Sequence, residues 1–179
     1  MCVYRSVMGP RWDELPAAVQ RAHRPSAMLR GTFEVRHGRS PLARAIARIV
    51  RCPREAAGVE VTLCIEAEDG VEWWHRTFDG RRMTTRQQSE EAGVLNERIG
   101  PLELLFRLQV EGGALRFDQV GARGRLAGLA LPWPRWCRPQ VEALARAEPG
   151  GVAVSVAVSL PGIGLLMSYA GRLEVPEPS

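Results

Sequence analysis

Hydrophobic positions recur first at helical and then at strand spacing along this chain. Trp12, Leu15, Val19 and Ala22 are three to four residues apart, as on one face of an α-helix. Asp13 is placed to cap that helix, and Pro16 is tolerated in its first turn. The spacing predicts a short amphipathic helix over 13–23. It stops at His23-Arg24-Pro25, because a residue before proline avoids helical backbone. From Met28 to Arg36 the pattern alternates, with Leu29, Phe33 and Val35 on one parity and Arg30, Thr32, Glu34 and Arg36 on the other. That is a strand with one buried face, interrupted by Gly31. Ser40-Pro41 then supplies a cap and a proline at the first helical position. A second helix is expected to about Val50, with Leu42, Ile46, Ile49 and Val50 packed on a sheet and Arg44, Arg48 and Arg51 in water.

From Val59 onward the chain reads as strands and turns. Val59, Val61, Leu63 and Ile65 alternate, and Asp69-Gly70 and Asp79-Gly80 mark tight hairpins bounding Val71–Phe78. Further strands are expected over Arg81–Gln88, around Leu95 to Ile99, over Leu102–Val110 and over Leu115–Val120, with Gly112-Gly113 as another turn. Residues 121–139 are punctuated by glycine and proline and read as a covering loop bearing Trp133 and Trp136. Val141–Ala147, Val152–Leu160 and Leu165–Val175 complete the set. The expectation is an α+β domain over 1–175 with a frayed tail at 176–179. It is mainly an antiparallel meander of about nine or ten strands with two short N-terminal helices. A sheet that long curls or closes toward a barrel, which also removes its edges.

Composition narrows the functional classes. No apolar run reaches the ~18 residues of a membrane span, and the N-terminal residues lack a signal-peptide core, so a cytoplasmic location is expected. Cys2, Cys52, Cys64 and Cys137 form no Cys-x-x-Cys pair and no zinc spacing with His23, His37 or His75. Neither a metal nor a disulfide is expected. All 24 basic residues are arginine. Residues 1–55 carry eleven of them against four acids, a net +7, and the remainder carries a net −3. This asymmetry leaves open a peripheral contact between Arg44, Arg48 and Arg51 and an anionic membrane. Nucleic acid is disfavoured by an aromatic content of 6% and the lack of a recognised binding signature.

Strand parity places Trp74, Arg76 and Phe78 on one face, with Trp73, His75 and Thr77 on the other. An arginine between two aromatics suits stacking plus a carboxylate partner, and Glu97 is the nearest candidate. Two readings stay open: an Arg–Glu pair that pins the register, or a guanidinium presented to an acidic ligand. Arg76, Arg107 and Glu97 are candidates for an interior polar set. No Gly-x-Ser-x-Gly elbow or glycosidase-type carboxylate pair is found, and Glu90-Glu91 reads as a solvated turn. Catalysis therefore has little support in the sequence, and an enzyme using His75 or Glu97 is the remaining reading of that kind.

The ordered elements Trp74-His75-Arg76-Thr77-Phe78-Asp79-Gly80, Glu97 with Gly100-Pro101, Gly112-Gly113-x-Leu115, Gly128-Leu129 with Leu131-Pro132, and Pro161 with Gly164 and Tyr169-x-Gly171-x-Leu173 carry a resemblance. The chain resembles the uncharacterised family labelled domain of unknown function four-one-six-six, from about Trp12 to Val175. Members of that family occur alone or behind saccharopine-dehydrogenase-like modules. The resemblance implies an architecture and no reaction. The chain has no Gly-x-Gly-x-x-Gly after a strand, so no nicotinamide cofactor is expected. The resulting expectation is a binding module for a small, mostly apolar ligand with an acidic group. Its candidate residues are Trp74, Arg76, Phe78, Glu97, Arg107 and Tyr169. The alternative is an accessory domain partnering a saccharopine-dehydrogenase-like oxidoreductase.

Overall fold

Three hairpins take the left-handed backbone that their residues favour. Asp69 and Gly70 have φ of 49° and 77°, Asp79 and Gly80 43° and 80°, and Gly112 and Gly113 55° and 75°. Positive φ at both central positions matches the right-handed twist of the strands they join. In a computed structural model describing residues 2–90, 93–126 and 129–176, these turns connect a long antiparallel sheet. Its strands are β1 (Met28–His37), β2 (Ala56–Glu68), β3 (Val71–Phe78), β4 (Arg81–Ser89), β5 (Val94–Ile99), β6 (Leu102–Glu111), β7 (Ala114–Leu126), β8 (Leu129–Pro132), β9 (Gln140–Glu148), β10 (Gly151–Leu160) and β11 (Gly164–Glu174). The helices are α1 (Val3–Met8), α2 (Ala17–Ala22) and α3 (Pro41–Ile49), with 3-10 turns at Gly9–Glu14 and Arg135–Cys137.

The sheet closes. β1 to β7 pair in sequence, the first half of β7 turns to β9, and β9, β10 and β11 lead back to β1. Ten strands form the ring, and β8 hangs from the far half of β7. Tight coiling at β1 and β11 relies on glycine. A Cβ on Gly171 would overlap the Thr32 carbonyl and Phe33, and one on Gly31 would overlap the Arg172 carbonyl.

The two ends differ. At the end holding the β2–β3, β4–β5 and β6–β7 turns, α1 touches β4, β5 and β6, while α2 touches β9 and β10. Together they plug the barrel with Tyr4, Trp12, Leu15 and Val19. At the other end α3 sits on β11 and β1. Toward that end the inward-facing Val141, Val156 and Val158 remain half-buried.

Several expectations change. α1 has no sequence cap of its own, and it forms because Val3, Tyr4, Val7 and Met8 are buried. The helix expected over 13–23 is shortened to Ala17–Ala22, because residues 9–14 tighten into a 3-10 turn and Pro16 takes extended ψ. Asp13 therefore caps nothing. α3 does begin at Ser40, whose hydroxyl accepts the Ala43 N–H at 3.2 Å. Its packing face, however, is Ala43 and Ala47, and Leu42, Ile49 and Val50 are exposed. The loop expected over 121–139 contains the end of β7 and all of β8. Glu90 is no solvated turn residue, since it pairs with Arg123 at 2.6 Å. Glu91, Gly128 and residues 177–179 of the expected tail lie outside the described residues.

Candidate functional site

Alternation along β3 turns Glu72, Trp74, Arg76 and Phe78 inward. The neighbouring strands add Thr85 and Gln87 from β4, Glu97 from β5 and Tyr169 from β11, and the plug adds Tyr4 and His23. Arg76 is the centre of this set. Its Nη1 donates to Thr85 Oγ1 at 3.0 Å and lies 3.6 Å from Glu97 Oε1. Its guanidinium carbon stands 5.0 Å from the centroid of the Trp74 ring. The Arg76 and Glu97 side chains are only 14% and 17% exposed, so this pair is screened far less than a surface one. The guanidinium reaches diagonally over β4, and at 3.6 Å the Glu97 contact is an ion pair without a short hydrogen bond. One hydrogen bond to Thr85 uses one of five N–H donors.

Other polar groups surround it. Gln87 is buried and its Oε1 has no hydrogen-bond partner among the described residues. Burial holds the phenols of Tyr4 and Tyr169 above their ordinary pKa, so both stay protonated. Tyr169 packs edge-on against Phe78 at 5.4 Å and Phe33 at 6.1 Å. His23 Nδ1–H donates to the Val19 carbonyl at 2.8 Å, in the neutral form. Its ring lies 4.7 Å from Tyr4 and 5.4 Å from Trp74. Burial, opposed by the Val19 bond and reinforced by the Arg76 charge, lowers its pKa to about 4. Glu72 is fully buried and accepts the Val3 N–H at 2.8 Å and the Trp74 Nε1–H at 3.2 Å. It thereby holds the start of α1 against the barrel, where a carboxylate complements the helix end. Burial pushes its pKa up, and the two hydrogen bonds work against that rise.

A cavity of about 100 Å³ lies among Tyr4, His23, Trp74, Arg76, Glu97 and Tyr169. Five of the six expected site residues thus converge on the interior. Arg107 does not. Phe106 and Leu108 face inward, so alternation turns Arg107 to the exposed face, opposite Val94 and Asp118. His75 also lies outside, against Thr84 and Glu66. Trp133 bonds the Cys137 carbonyl in its own turn and packs near Gly124, while Trp136 is exposed. Glu72, Thr85, Gln87 and Tyr4 were not singled out from the sequence. Glu72 shares the parity of Trp74 and Arg76, so the alternation used for those two already carried that signal. Among the described residues no cluster of metal-ligating side chains occurs, and no helix is long and apolar enough to cross a membrane.

Comparison with known proteins places the chain. A solved structure, that of a protein of unknown function from the DUF3598 family of Nostoc punctiforme PCC 73102, is similar at a TM-score of 0.45 and 11% identity. The similarity covers 86% of this chain and 51% of that one, so this chain spans about half of its length. No curated protein matches. The model of a family described only as a domain of unknown function, DUF4166, matches residues 15–173. That span takes in the whole barrel but for Glu174, the last residue of β11, and the chain belongs to the DUF4166 family.

Proposed function

We propose that the barrel binds a small, mostly apolar molecule by its acidic end, with Arg76 as the anchor. The observation that carries this reading is the Arg76 guanidinium. It is charged and only 14% exposed, faces a cavity, and among the described residues leaves most of its donors uncommitted. A carboxylate suits the planar fork of arginine better than any neutral group does. Trp74, Phe78 and Tyr169 would enclose the adjoining carbons, and Gln87 Oε1 would accept a hydrogen bond from a hydroxyl on the ligand. The cavity of about 100 Å³ is well below the roughly 300–1,000 Å³ of pockets that engulf a drug-sized molecule. The proposal is accordingly confined to the acidic end of the ligand. Any longer tail would run toward the half-buried Val141, Val156 and Val158.

Calorimetric titration with straight-chain carboxylates from butyrate to decanoate, each paired with the alcohol of equal length, tests the proposal. The carboxylates are expected to bind more tightly than the alcohols, and Arg76→Gln is expected to abolish that preference. Equal affinity for acid and alcohol, or an undiminished preference in R76Q, would refute it.

A further inference from the structure

We infer that α3 docks the barrel onto a membrane surface bearing anionic lipids. The inference stands apart from the interior reading, since it concerns the outside of the opposite end. The helix carries its large apolar residues where nothing covers them. Leu42 is 55% exposed, Ile49 79% and Val50 59%, while the small residues Ala43 and Ala47 make the contact with the barrel. With Ile46, the three form an i, i+4, i+7, i+8 stripe, and Arg44, Arg48 and Arg51 lie around the other side. A strongly charged face opposite an exposed apolar stripe is the pattern of a helix lying in the membrane interface.

The surroundings extend the positive face. Arg44, Arg48, Arg54 and Arg81 converge on a cleft with His37, and Arg51 and Arg82 adjoin Arg48 and Arg81. All six arginines are exposed. Among the described residues none reaches a carboxylate at ion-pair distance, whereas Arg36, Arg116, Arg123 and Arg125 all do. Glu55 faces this cleft but accepts the His37 N–H, and Asp79 accepts the Glu60 N–H. Such a concentration of like charge repels itself unless an anionic partner neutralises it. A bilayer with acidic headgroups accommodates both halves of the pattern, the apolar stripe in the acyl boundary and the arginines among phosphates.

Arg51 supplies an independent sign. It occupies the left-handed position that ends α3, at φ 58°, where its N–H bonds Arg48 O and the next N–H, of Cys52, bonds Ala47 O. Glycine is the residue favoured at this position. An arginine is held there against backbone preference, at the tip of the apolar stripe. The same end of the barrel also exposes Trp136, in the turn before β9, and tryptophan favours membrane interfaces.

Flotation of the full chain with vesicles tests this directly. Phosphatidylcholine vesicles containing phosphatidylserine are expected to carry the protein, and pure phosphatidylcholine vesicles are not. Arg44→Gln with Arg48→Gln and Arg51→Gln together should weaken the interaction roughly a hundredfold, as expected for three basic residues near an anionic surface. Ile49→Gln should weaken it about tenfold or more through lost apolar burial. Arg51→Gly is the decisive variant, because it should fold at least as well as the parent and yet bind about fivefold more weakly. No flotation with phosphatidylserine, equal flotation on both vesicle types, or undiminished flotation of I49Q or R51G would overturn the inference.

Discussion

His23 should make this barrel lose stability in mild acid. The imidazole is closed in between Tyr4, Trp74 and the α2 backbone, and its pKa falls from the ordinary 6.5 to about 4. In the unfolded chain it takes up a proton near its ordinary pKa, whereas in the folded protein it resists until about pH 4. The unfolded state therefore binds more protons between those values, and stability falls as pH falls through that window. A depression of this size corresponds to roughly 3 kcal/mol in full, and about 2 kcal/mol of it is lost between about pH 7.5 and about pH 5. Glu72 acts in the opposite sense. Its carboxyl is held above the ordinary value, so it favours the folded state more as pH falls toward that range. Urea unfolding at a series of pH values measures the balance. The parent should weaken steadily below about pH 6.5, whereas His23→Gln, which keeps an N–H for the Val19 carbonyl but cannot titrate, should show no such loss. A parent whose stability does not change over this window, or an H23Q variant with the parental slope, would refute the burial of a neutral His23 within the plug.

Three further outcomes follow from named contacts. Arg76→Met alone should cost about 3–5 kcal/mol, because it strands Glu97 in a poorly solvated interior, and adding Glu97→Leu should recover most of that loss in a double-mutant cycle read by denaturation. Gly171→Ala should cost about 3 kcal/mol or more, since its Cβ would meet Thr32 and Phe33 backbone that cannot move without opening β1 from β11; a midpoint shift below about 1 kcal/mol would show that the strands can relax. Arg51→Gly should raise stability by roughly 1 kcal/mol in the same assay, through relief of left-handed backbone at a position glycine prefers.

Most barrel strands were legible because they carry period-two alternation or strand-rich runs between glycine-bearing turns such as Asp69-Gly70, Asp79-Gly80, Gly112-Gly113 and Pro161-Gly162. The same parity put Trp74, Arg76 and Phe78 together, and Glu97, chosen as the nearest carboxylate on a later strand, lies 3.6 Å from Arg76. Arg107 failed by the parity rule itself, since Phe106 and Leu108 occupy the inward positions beside it. α1 was hidden because its helicity depends on burial and on the distant Glu72 carboxylate, neither of which local spacing encodes. β8 was hidden by the glycines and prolines around it. α3 was located correctly but turned the wrong way. Its moment identifies two contrasting faces, and it does not reveal that the small alanines between them make the contact with the sheet.

The pairing of β1 with β11 bears on how the molecule is made. Residues 30–37 hydrogen-bond across the ring to residues 167–174, among the last of the barrel strands to leave a ribosome. Until β11 emerges, β1 and β10 both present open edges, and the ring cannot be completed by any local hairpin. Long-range pairing of this kind slows folding and prolongs exposure of unpaired strands. The early meander from β2 to β6 can assemble while synthesis continues, with the closing stave arriving last. A chain broken off at the Pro161-Gly162 turn would therefore be an open, adhesive sheet, poorly able to survive as a shorter barrel.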